Sequence, residues 1–319
     1  MPLPTSESTT VSQQEIAAGL LKDHASISPK YFYDALGSVL FEAICALPEY
    51  YLTRTESHIL DRHVSDIAQI VAPGGTLIDL GAGNCAKAAG LFSHLHPDQY
   101  VPIDISAEHL NEAVQRLQQR YGHIEMTALG MDFSGNWSLP HRVRNVQRLF
   151  FYPGSSIGNF KPDAALAFLK KIRAQCGDDG GLLIGVDLVK DSDVLTAAYD
   201  DNLGVTAAFN LNALRHINQL LGSNFDVRQW QHNAFFNSEK SRIEMHLIAK
   251  EDLQVIWGDQ HRNFLRGERM HTENSYKYTL PQFLNLLEAA GFGKTHHWTD
   301  DQNWFAVVHA KTIPVPFEE

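Results

Sequence analysis

The stretch from Leu77 to Lys87, which reads LIDLGAGNCAK, constrains the fold more than any other part of the sequence. An apolar run ends in Asp79, two glycines follow as Gly81-x-Gly83, and a helix-compatible segment comes next. This order predicts a buried parallel strand, a tight turn and the start of a helix. Glycine lets a ligand approach the backbone closely, and a helix start offers unpaired N–H groups. The segment therefore predicts a site for a nucleotide-type cofactor.

Two later segments repeat the pattern of an apolar strand that ends in an acid. They read VPID, ending in Asp104, and ALGMDF, ending in Asp132-Phe133, and each follows the previous acid by one βα unit. Asp79 suits a methionine ammonium or an ordered water, and Asp104 suits two ribose hydroxyls. The pair Asp132-Phe133 suits an adenine amino group and ring face. Any single acid would alternatively cap the helix after its strand, but three in register favour S-adenosylmethionine.

Strand and helix signals alternate from residue 76 to residue 188. Apolar strands of this kind form parallel sheets with helices on both faces. Near the C-terminus a helix over 280–290 precedes two strands, 293–300 and 303–311. A helix followed by such an antiparallel pair is the usual tail of a seven-stranded S-adenosylmethionine methyltransferase sheet. We therefore predict an α/β protein with this class I, Rossmann-like fold.

A nicotinamide oxidoreductase is the alternative for the same glycine-rich stretch. With Ala86 as the third small residue, the stretch satisfies the dinucleotide fingerprint G-x-G-x-x-G/A. Asp104 also lies where the ribose-binding acid of that fingerprint is found. A nicotinamide domain more often ends in a sixth parallel strand, and the acid at Asp79 fits the methionine cofactor better. Both observations disfavour this alternative.

The break in the alternation at residue 190 indicates a second domain. We expect a cofactor domain over 58–189 and 277–319, and an α+β substrate-binding domain over 13–57 and 190–276. Ligands of open α/β sheets lie at the carboxyl ends of the strands, where an added substrate domain belongs. Residues 1–12 are rich in serine and threonine, and we expect them to be disordered.

Charge and composition exclude several classes of partner. The 319-residue chain has a formal net charge of −11 and no basic stripe, so we expect no nucleic-acid partner. It has no apolar run of about 18 residues and its N-terminus is polar, so we expect a cytoplasmic protein that binds no membrane. Its 16 histidines and 3 cysteines form neither H-E-x-x-H nor C-x-x-C, so we expect no metal.

Seven longer motifs run in order through residues 33 to 277. They are Tyr33-Asp-Ala-Leu-Gly-Ser38, Leu47-Pro-Glu-Tyr-Tyr-Leu-Thr-Arg-Thr-Glu56, Asp79-Leu-Gly-Ala-Gly83 with Lys87, Val101-Pro-Ile-Asp104, Gly154-Ser-Ser-Ile-Gly-Asn159, Tyr199-Asp-Asp-Asn-Leu-Gly-Val-Thr-Ala-Ala-Phe-Asn210 and Thr272-Glu-Asn-Ser-Tyr-Lys277. Together they resemble the L-histidine Nα-methyltransferases of ergothioneine biosynthesis. The resemblance implies S-adenosylmethionine-dependent Nα-trimethylation of free L-histidine to hercynine, the first step of that pathway, with S-adenosylhomocysteine as the second product.

The resemblance also implies roles for single residues. Five positions match the family's cofactor contacts: Gly81, Lys87, Asp104, Asp132 and Phe133. Seven match its substrate positions: Asn159 and Tyr199 at the amino-acid end, Glu273 and Ser275 at the imidazole, Met245 beside the ring, and Tyr33 and Tyr50 in the pocket. The predicted catalytic residues among these are Tyr33, Tyr50, Asn159 and Tyr199. The residue pattern alone adds Asp79 and Gly83 to the predicted cofactor site.

The chemistry of methyl transfer to an amine favours the same residue types. The amine must be aligned with the sulfonium methyl and must offer a lone pair, so tyrosine hydroxyls that orient the amine suit the reaction. A buried Glu273 would accept a hydrogen bond from an imidazole N–H, with Ser275 on the same side of an extended segment. Aromatic faces favour the quaternary ammonium that forms, and the candidates are Tyr33, Tyr50, Tyr51 and Phe209.

Other interpretations stay open on the sequence alone. Glu273 would be a surface acid if it pairs with Lys277. Asn159 would cap the helix whose first turn contains Pro162, and Met245 would be plain core. Another amino acid, such as tryptophan, is an alternative substrate, although an apolar residue at position 273 would fit an indole better. A non-catalytic homologue that only binds the cofactor is a further alternative. We expect a monomer.

Overall fold

The computed structural model of the protein describes residues 6–71, 73–135 and 137–313. The chain divides into two compact units. The accessory unit comprises Met1–Tyr51 and Asp191–Ser275, and the sheet unit comprises Leu52–Lys190 and Tyr276–Glu319. The chain thus crosses between units after residues 51, 190 and 275, where the sequence predicted crossings after residues 57, 189 and 276.

The described residues form ten α-helices and thirteen strands. The helices are α1 (Ser6–Leu20), α2 (Ala35–Cys45), α3 (Tyr51–Ile70), α4 (Ala86–Ala89), α5 (Phe92–Leu95), α6 (Ala107–Arg120), α7 (Pro162–Cys176), α8 (Ser192–Ala197), α9 (Val205–Leu221) and α10 (Leu280–Ala289). The strands are β1 (Thr76–Leu80), β2 (Gln99–Asp104), β3 (Glu125–Met126), β4 (Leu129–Gly130), β5 (Arg148–Tyr152), β6 (Gly181–Asp187), β7 (Trp230–Asn237), β8 (Arg242–Ala249), β9 (Leu253–Trp257), β10 (Gln260–Phe264), β11 (Arg269–Tyr276), β12 (Phe292–Thr299) and β13 (Phe305–Thr312).

The large sheet of the sheet unit has the strand order β12-β13-β6-β5-β1-β2-β3, and β4 also pairs with β2. Within this order, β3, β2, β1, β5 and β6 are parallel to one another. Strand β13 is antiparallel to β6, and β12 is antiparallel to β13. Because β3 and β4 pair with successive parts of β2, they share one position, and the order in chain sequence is 3-2-1-4-5-7-6. A nicotinamide-binding sheet has the order 3-2-1-4-5-6. The reversed strand beside the fifth position therefore confirms the predicted class I, Rossmann-like methyltransferase fold.

Buried apolar strands form the centre of this sheet. Every residue of β1 and β6 is buried. Large core side chains such as Phe150, Tyr152 and Leu169 are at most 2% exposed. Burial of each such side chain stabilises the fold by about 1.5–3 kcal/mol. Helices cover both faces of a parallel sheet, which is why these strands read as continuous apolar runs in the sequence.

The C-terminal tail of the sheet unit begins with α10, which has a complete capping box. Gln282 N donates to Thr279 Oγ1 at 3.4 Å, and Thr279 N donates to Gln282 Oε1 at 3.1 Å. The turn between β12 and β13 is held by Asp300 Oδ1, which accepts hydrogen bonds from Trp304 N and Phe305 N, both at 2.8 Å. The predicted antiparallel pair is present, with its strand ends shifted by one or two residues.

The accessory unit combines helices with small antiparallel sheets. Its main sheet has the order β11-β8-β7, and β9 and β10 form a separate hairpin. Helix α9 buries Phe209, Ala213, Leu214 and Ile217 along one side. This is the α+β architecture that the sequence predicts for the added domain.

The N-terminal segment differs from its predicted disorder. Residues 6–12 belong to α1, whereas residues 1–5 lie outside the described residues. Ile16 and Leu20, on the same helix, are at most 1% exposed, and Gln13 Nε2 donates a hydrogen bond to Leu220 O at 2.8 Å. These contacts anchor the C-terminal half of α1, and the helical backbone continues from it into the Ser- and Thr-rich turns.

Two further features concern the described residues as a whole. None of their helices is both long enough and apolar enough to cross a bilayer. Nor do their His, Cys, Asp and Glu side chains form a group of three or more that could hold a metal ion.

Candidate active site

The glycine turn after β1 lies in the sheet unit. Gly81 has φ +70° and Gly83 has φ +51°, a left-handed region that side chains with a Cβ rarely adopt. A Cβ built on Gly83 would meet nothing within 4 Å, and one built on Gly81 would lie 3.7 Å from Phe133 Cζ. Backbone conformation rather than crowding therefore requires glycine at Gly83. The turn also presents Gly81 to the ring of Phe133, another predicted cofactor residue.

Asp104 closes this turn from the end of β2. Its Oδ2 accepts a hydrogen bond from Gly83 N at 2.9 Å, and its Oδ1 accepts one from Ser106 N at 2.9 Å. The side chain is half-buried. A carboxylate oxygen has two lone pairs, so each oxygen can accept a further hydrogen bond after binding the backbone. The structure thus places Asp104 against the glycine turn, with acceptor capacity for a pair of hydroxyls.

Asp79 lies at the end of β1 and is only 2% exposed. Tyr100 OH donates a hydrogen bond to its Oδ2 at 2.8 Å, whereas its buried Oδ1 has no hydrogen-bond partner. Burial raises the pKa of Asp79 to about 7, and the hydrogen bond from Tyr100 opposes this shift. A buried polar oxygen without a partner, next to a glycine turn, fits a site that is completed by a ligand or an ordered water.

The predicted adenine residues follow β4. The ring of Phe133 is half-buried and contacts Tyr152 at 6.1 Å and Phe168 at 6.0 Å between ring centroids. Asp132 is exposed and accepts hydrogen bonds from Ser134 N at 2.8 Å and Ser134 Oγ at 2.5 Å. The structure therefore brings Phe133 to the glycine turn and leaves the carboxylate of Asp132 accessible.

Lys87, on α4, is paired with a residue that sequence reasoning missed. Its Nζ lies 2.5 Å from Oε2 of Glu56, and Glu56 is 1% exposed although it belongs to the amphipathic helix α3. Oε1 of Glu56 accepts a hydrogen bond from Gly154 N at 2.7 Å. Glu56 is the last residue of one of the matching motifs, and that position is the feature of the sequence that could have indicated its role. We call Asp79, Gly81, Gly83, Lys87 and Asp104 the glycine-loop site.

Asn159 ends the 3-10 helix Ser156–Asn159 in the sheet unit and is half-buried. The loop before it turns at Gly154 and Ser155, which both have positive φ. Ser155 Oγ accepts a hydrogen bond from Asp187 N at 2.8 Å, so the loop is attached to the end of β6. The cap of α7 is Lys161, without a side-chain cap hydrogen bond, so the interpretation of Asn159 as that cap is wrong.

The remaining predicted residues lie in the accessory unit. Tyr199 OH and Ser275 Oγ are 2.8 Å apart. Ser275 and Glu273 lie two residues apart on β11, and they are 3% and 8% exposed. The interpretation of Glu273 as a surface acid is therefore wrong. Lys277, its supposed partner, forms a buried ion pair with Asp187 at 2.7 Å. Glu273 thus offers a carboxylate from a buried strand.

An aromatic cluster surrounds these polar groups. Tyr33 contacts Phe209 at 5.6 Å, and Tyr50 contacts Phe41 at 6.2 Å and Tyr199 at 6.1 Å between ring centroids. Burial raises the pKa of Tyr50 well above its ordinary value, and the nearby phenol of Tyr199 adds to the shift. Its hydroxyl therefore stays protonated at neutral pH and can orient a ligand without acting as a base. We call Tyr33, Tyr50, Tyr199, Glu273 and Ser275 the aromatic site.

Met245 lies on β8 and is 1% exposed. Its backbone oxygen accepts a hydrogen bond from Thr272 Oγ1 at 3.0 Å, which ties β8 to β11 next to Glu273. Such burial fits both plain core and a position beside a substrate ring. A role for Met245 in substrate binding stays a prediction.

Sequence reasoning also missed two buried residues that are linked by hydrogen bonds to the backbone of Tyr199. Asn210 Nδ2 donates to His246 O at 3.1 Å and lies 2.9 Å from His232 Nδ1, so that nitrogen of His232 must accept. The proton of His232 is then on Nε2, which donates to Tyr199 O at 2.9 Å. Burial lowers the pKa of His232, which favours this neutral form. Asn210 ends a matching motif, but His232 carries no signal in the sequence.

Comparison with known proteins shows the family to which the chain belongs. The model of the family described as "Histidine-specific methyltransferase, SAM-dependent" matches residues 12–312. The histidine N-alpha-methyltransferases of Mycolicibacterium smegmatis and Mycobacterium tuberculosis are each 38% identical to this chain, over 92% of it and 93% of their own length. Ergothioneine biosynthesis protein 1 of Neurospora crassa is 31% identical over 84% of this chain, which covers 31% of that protein. The chain therefore belongs to the family of histidine-specific, S-adenosylmethionine-dependent methyltransferases.

Proposed function

We propose that this enzyme transfers three methyl groups to the α-amine of free L-histidine and forms hercynine for ergothioneine biosynthesis. One observation carries the proposal above the others. Glu273 is buried on the same strand as Ser275, whose hydroxyl is hydrogen-bonded to Tyr199. A carboxylate and a hydroxyl beside an amino-acid-binding tyrosine suit a small substrate with a polar ring. The names of the relatives at 38% identity support the same substrate.

S-adenosylmethionine supplies an electrophilic methyl group on a sulfonium when it is bound. The glycine-loop site fits this cofactor, because Asp79 Oδ1 is a buried oxygen without a partner and Gly83 leaves open space at the turn. Asp104 would bind the ribose hydroxyls, and Lys87 would bind the methionine carboxylate. Phe133 and Asp132 would hold the adenine ring and its amino group. The residue roles in this site are part of the proposal.

In the aromatic site, Glu273 would accept a hydrogen bond from an imidazole N–H, and Ser275 would bind the other ring nitrogen. The same Ser275 hydroxyl meets Tyr199 OH, so recognition of the ring is linked to recognition of the amino-acid end. Asn159 is assigned the same end of the substrate by the resemblance, and this role also stays a prediction. A ligand without a polar ring could not form these hydrogen bonds with Glu273 and Ser275, which disfavours other amino acids.

The α-amine must present its lone pair to the methyl group before each transfer. Tyr50 keeps its proton at neutral pH, so its contribution is to orient the amine and to exclude water. The rings of Tyr33 and Phe209 would lie beside the growing methylammonium, and aromatic faces stabilise a quaternary cation. This explains the aromatic composition of a site whose product is permanently charged.

Mass spectrometry of the purified enzyme tests the proposal. The enzyme is incubated with S-adenosylmethionine and an equimolar mixture of the 20 amino acids. We expect three methyl groups to be added to histidine alone. Methylation of tryptophan or another amino acid would overturn the assignment of the aromatic site while leaving the reaction class intact. Tight binding of S-adenosylhomocysteine without any methylated amino acid would contradict the proposed activity itself.

A further inference from the structure

We propose that Glu56 is a positioning residue that holds Lys87 in place for the methionine carboxylate of the cofactor. The inference rests on the proposed contact between Lys87 and that carboxylate. It assigns a function to a buried acid that is not itself one of the predicted site residues. Glu56, Lys87 and Gly154 all belong to the sheet unit.

Glu56 is buried in a way that calls for an explanation. The residue is 1% exposed, and both of its carboxylate oxygens are used, one by Lys87 Nζ at 2.5 Å and the other by Gly154 N at 2.7 Å. Burial of the charge of Glu56 costs hydration energy that its partners offset, so such a pair contributes little to stability compared with apolar side chains of similar volume. The pair is therefore better explained by where it holds the lysine than by the stability that it adds.

The sheet is shaped around this carboxylate. A Cβ built on Gly185, in the middle of β6, would lie 1.9 Å from Glu56 Oε1, so a side chain at that position would displace the acid. On the other side, a Cβ built on Gly154 would lie 3.7 Å from Lys87 Nζ, and Gly154 has φ +78°. Gly185 thus leaves space for the carboxylate of Glu56. Gly154 donates a hydrogen bond to that carboxylate and lies next to Lys87. These contacts are independent of the ion pair itself.

The ammonium of Lys87 has capacity beyond Glu56. Its side chain is 32% exposed, whereas that of Glu56 is 1% exposed, so the pair presents its lysine end to solvent. An ammonium has three donors, and the bond to Glu56 uses one of them. A lysine on a flexible four-carbon stem loses rotamer freedom when it binds a ligand, and Glu56 removes that freedom beforehand. Pre-organisation of this kind raises affinity for a carboxylate-bearing ligand.

Calorimetric binding of two ligands tests the inference. S-adenosylhomocysteine has the amino-acid end that Lys87 would bind, whereas 5′-methylthioadenosine keeps the adenosine and sulfur but lacks that end. We expect Glu56→Gln to weaken S-adenosylhomocysteine binding by about tenfold and to change methylthioadenosine binding by less than about twofold. The matched control is Glu125→Gln, which neutralises an exposed acid paired with Arg144 in the same unit and should change neither affinity. Equal weakening of both ligands by Glu56→Gln, or no weakening of either, would overturn the inference.

A double-mutant cycle shows whether Glu56 acts through Lys87. In a Lys87→Met background, Glu56→Gln should have no further effect on S-adenosylhomocysteine binding. An equal loss in both backgrounds would mean that Glu56 acts through something else. If Lys87→Met alone leaves that affinity unchanged, the proposed cofactor contact is wrong and the inference is overturned with it. If Glu56→Gln does not fold, Glu56→Asp replaces it, because a shorter carboxylate keeps its charge but cannot reach both partners, and it should show the same ligand-selective loss.

Discussion

The glycine-loop site and the aromatic site are held together in different ways. In the first, a carboxylate binds the backbone of a nearby turn, and the Gly83–Asp104 hydrogen bond spans 21 positions of the chain. In the second, side chains from separate elements bind one another, and the Tyr199–Ser275 hydrogen bond spans 76 positions. The first site therefore depends on a backbone turn and on the pairing of two neighbouring strands. The second exists only after the accessory unit has folded.

The two sites also differ in charge. The glycine-loop site contains Asp79, Asp104 and Lys87, and the pKa of one of these acids, Asp79, is raised by burial. The aromatic site presents three tyrosine hydroxyls, the hydroxyl of Ser275 and a single carboxylate, that of Glu273, and burial keeps the hydroxyl of Tyr50 protonated. A nucleotide-type cofactor with hydroxyls and a charged amino-acid end suits the first environment. An amine that must align its lone pair with the methyl group suits the second, where tyrosine hydroxyls can orient it.

The largest expected effect is that of Glu273→Gln, which should impair the use of histidine without changing the binding of the cofactor product. Glu273→Gln should lower kcat/KM for histidine on the order of a hundredfold, because the variant loses a charge-assisted hydrogen bond to the imidazole. The affinity for S-adenosylhomocysteine, measured by calorimetry, should change by less than about twofold. Steady-state kinetics with histidine as the varied substrate give the first number.

Glu244→Gln is the matched control for this variant. Glu244 is a second buried glutamate of the accessory unit, 7% exposed, and it pairs with Arg242 and His246 outside the aromatic site. Its replacement should leave kcat/KM for histidine within about threefold. Unchanged histidine turnover in folded Glu273→Gln would refute the assignment of Glu273, and equal losses in both variants would reduce it to a structural role.

The same contrast explains how much the sequence could predict. The glycine turn, the acids at the ends of β1 and β2, and the antiparallel tail are short contiguous patterns, and the structure has each of them in the predicted place. Their geometry follows from backbone rules that act over a few residues. Residues of the aromatic site were instead named from a family resemblance, because no periodicity or spacing brings Tyr50, Tyr199 and Glu273 together.

The features that the sequence did not predict have one physical cause in common. Glu56 belongs to an amphipathic helix, where an acid is normally assigned to the solvent side, yet Gly185 on a distant strand provides the space that buries it. His232 supports Tyr199 only through a tautomer that Asn210 selects. Helix α1 includes Ser- and Thr-rich turns whose composition suggests disorder, and its anchor is Leu220 on another helix. Each of these contacts joins different segments of the chain, and no pattern within one segment predicts it.

The next prediction concerns charge in the glycine-loop site. The pKa of Asp79 is about 7 in the folded protein and about 4 in an unfolded chain, so folding favours the protonated acid. Its contribution to stability is fully present below about pH 4 and is lost as the pH rises through about 7. Between about pH 5 and pH 8, the free energy of unfolding of the wild type should therefore fall by about 2.5 kcal/mol relative to Asp79→Asn.

Urea denaturation of both proteins across this pH range measures the difference. Lys87, Asp104 and Glu56 contribute to the pKa of Asp79, and all three are present in both proteins, so the two proteins differ only in the carboxyl group of Asp79. The control is Asp301→Asn, whose carboxylate is 80% exposed in its pair with Arg62 and whose profile should stay parallel to that of the wild type. Parallel profiles for Asp79→Asn would show that Asp79 is ionised in the folded protein throughout this range.

The smallest expected effect tests whether the aromatic site depends on the hydrogen bond between His232 and the backbone of Tyr199. His232→Phe keeps a buried ring but removes the hydrogen bond to Tyr199 O, so the backbone that carries Tyr199 loses its fixed position. We expect KM for histidine to rise by about three- to tenfold with a smaller change in kcat, since a neutral hydrogen bond is worth about 0.5–1.5 kcal/mol. His309→Phe is the matched control, because His309 is also a buried histidine whose pKa burial lowers, but it lies on β13 in the sheet unit. A KM change shared by both variants would mean that any buried ring substitution perturbs the enzyme. A change confined to His232→Phe would show that the aromatic site needs the hydrogen bond from His232 to Tyr199 O to hold its geometry.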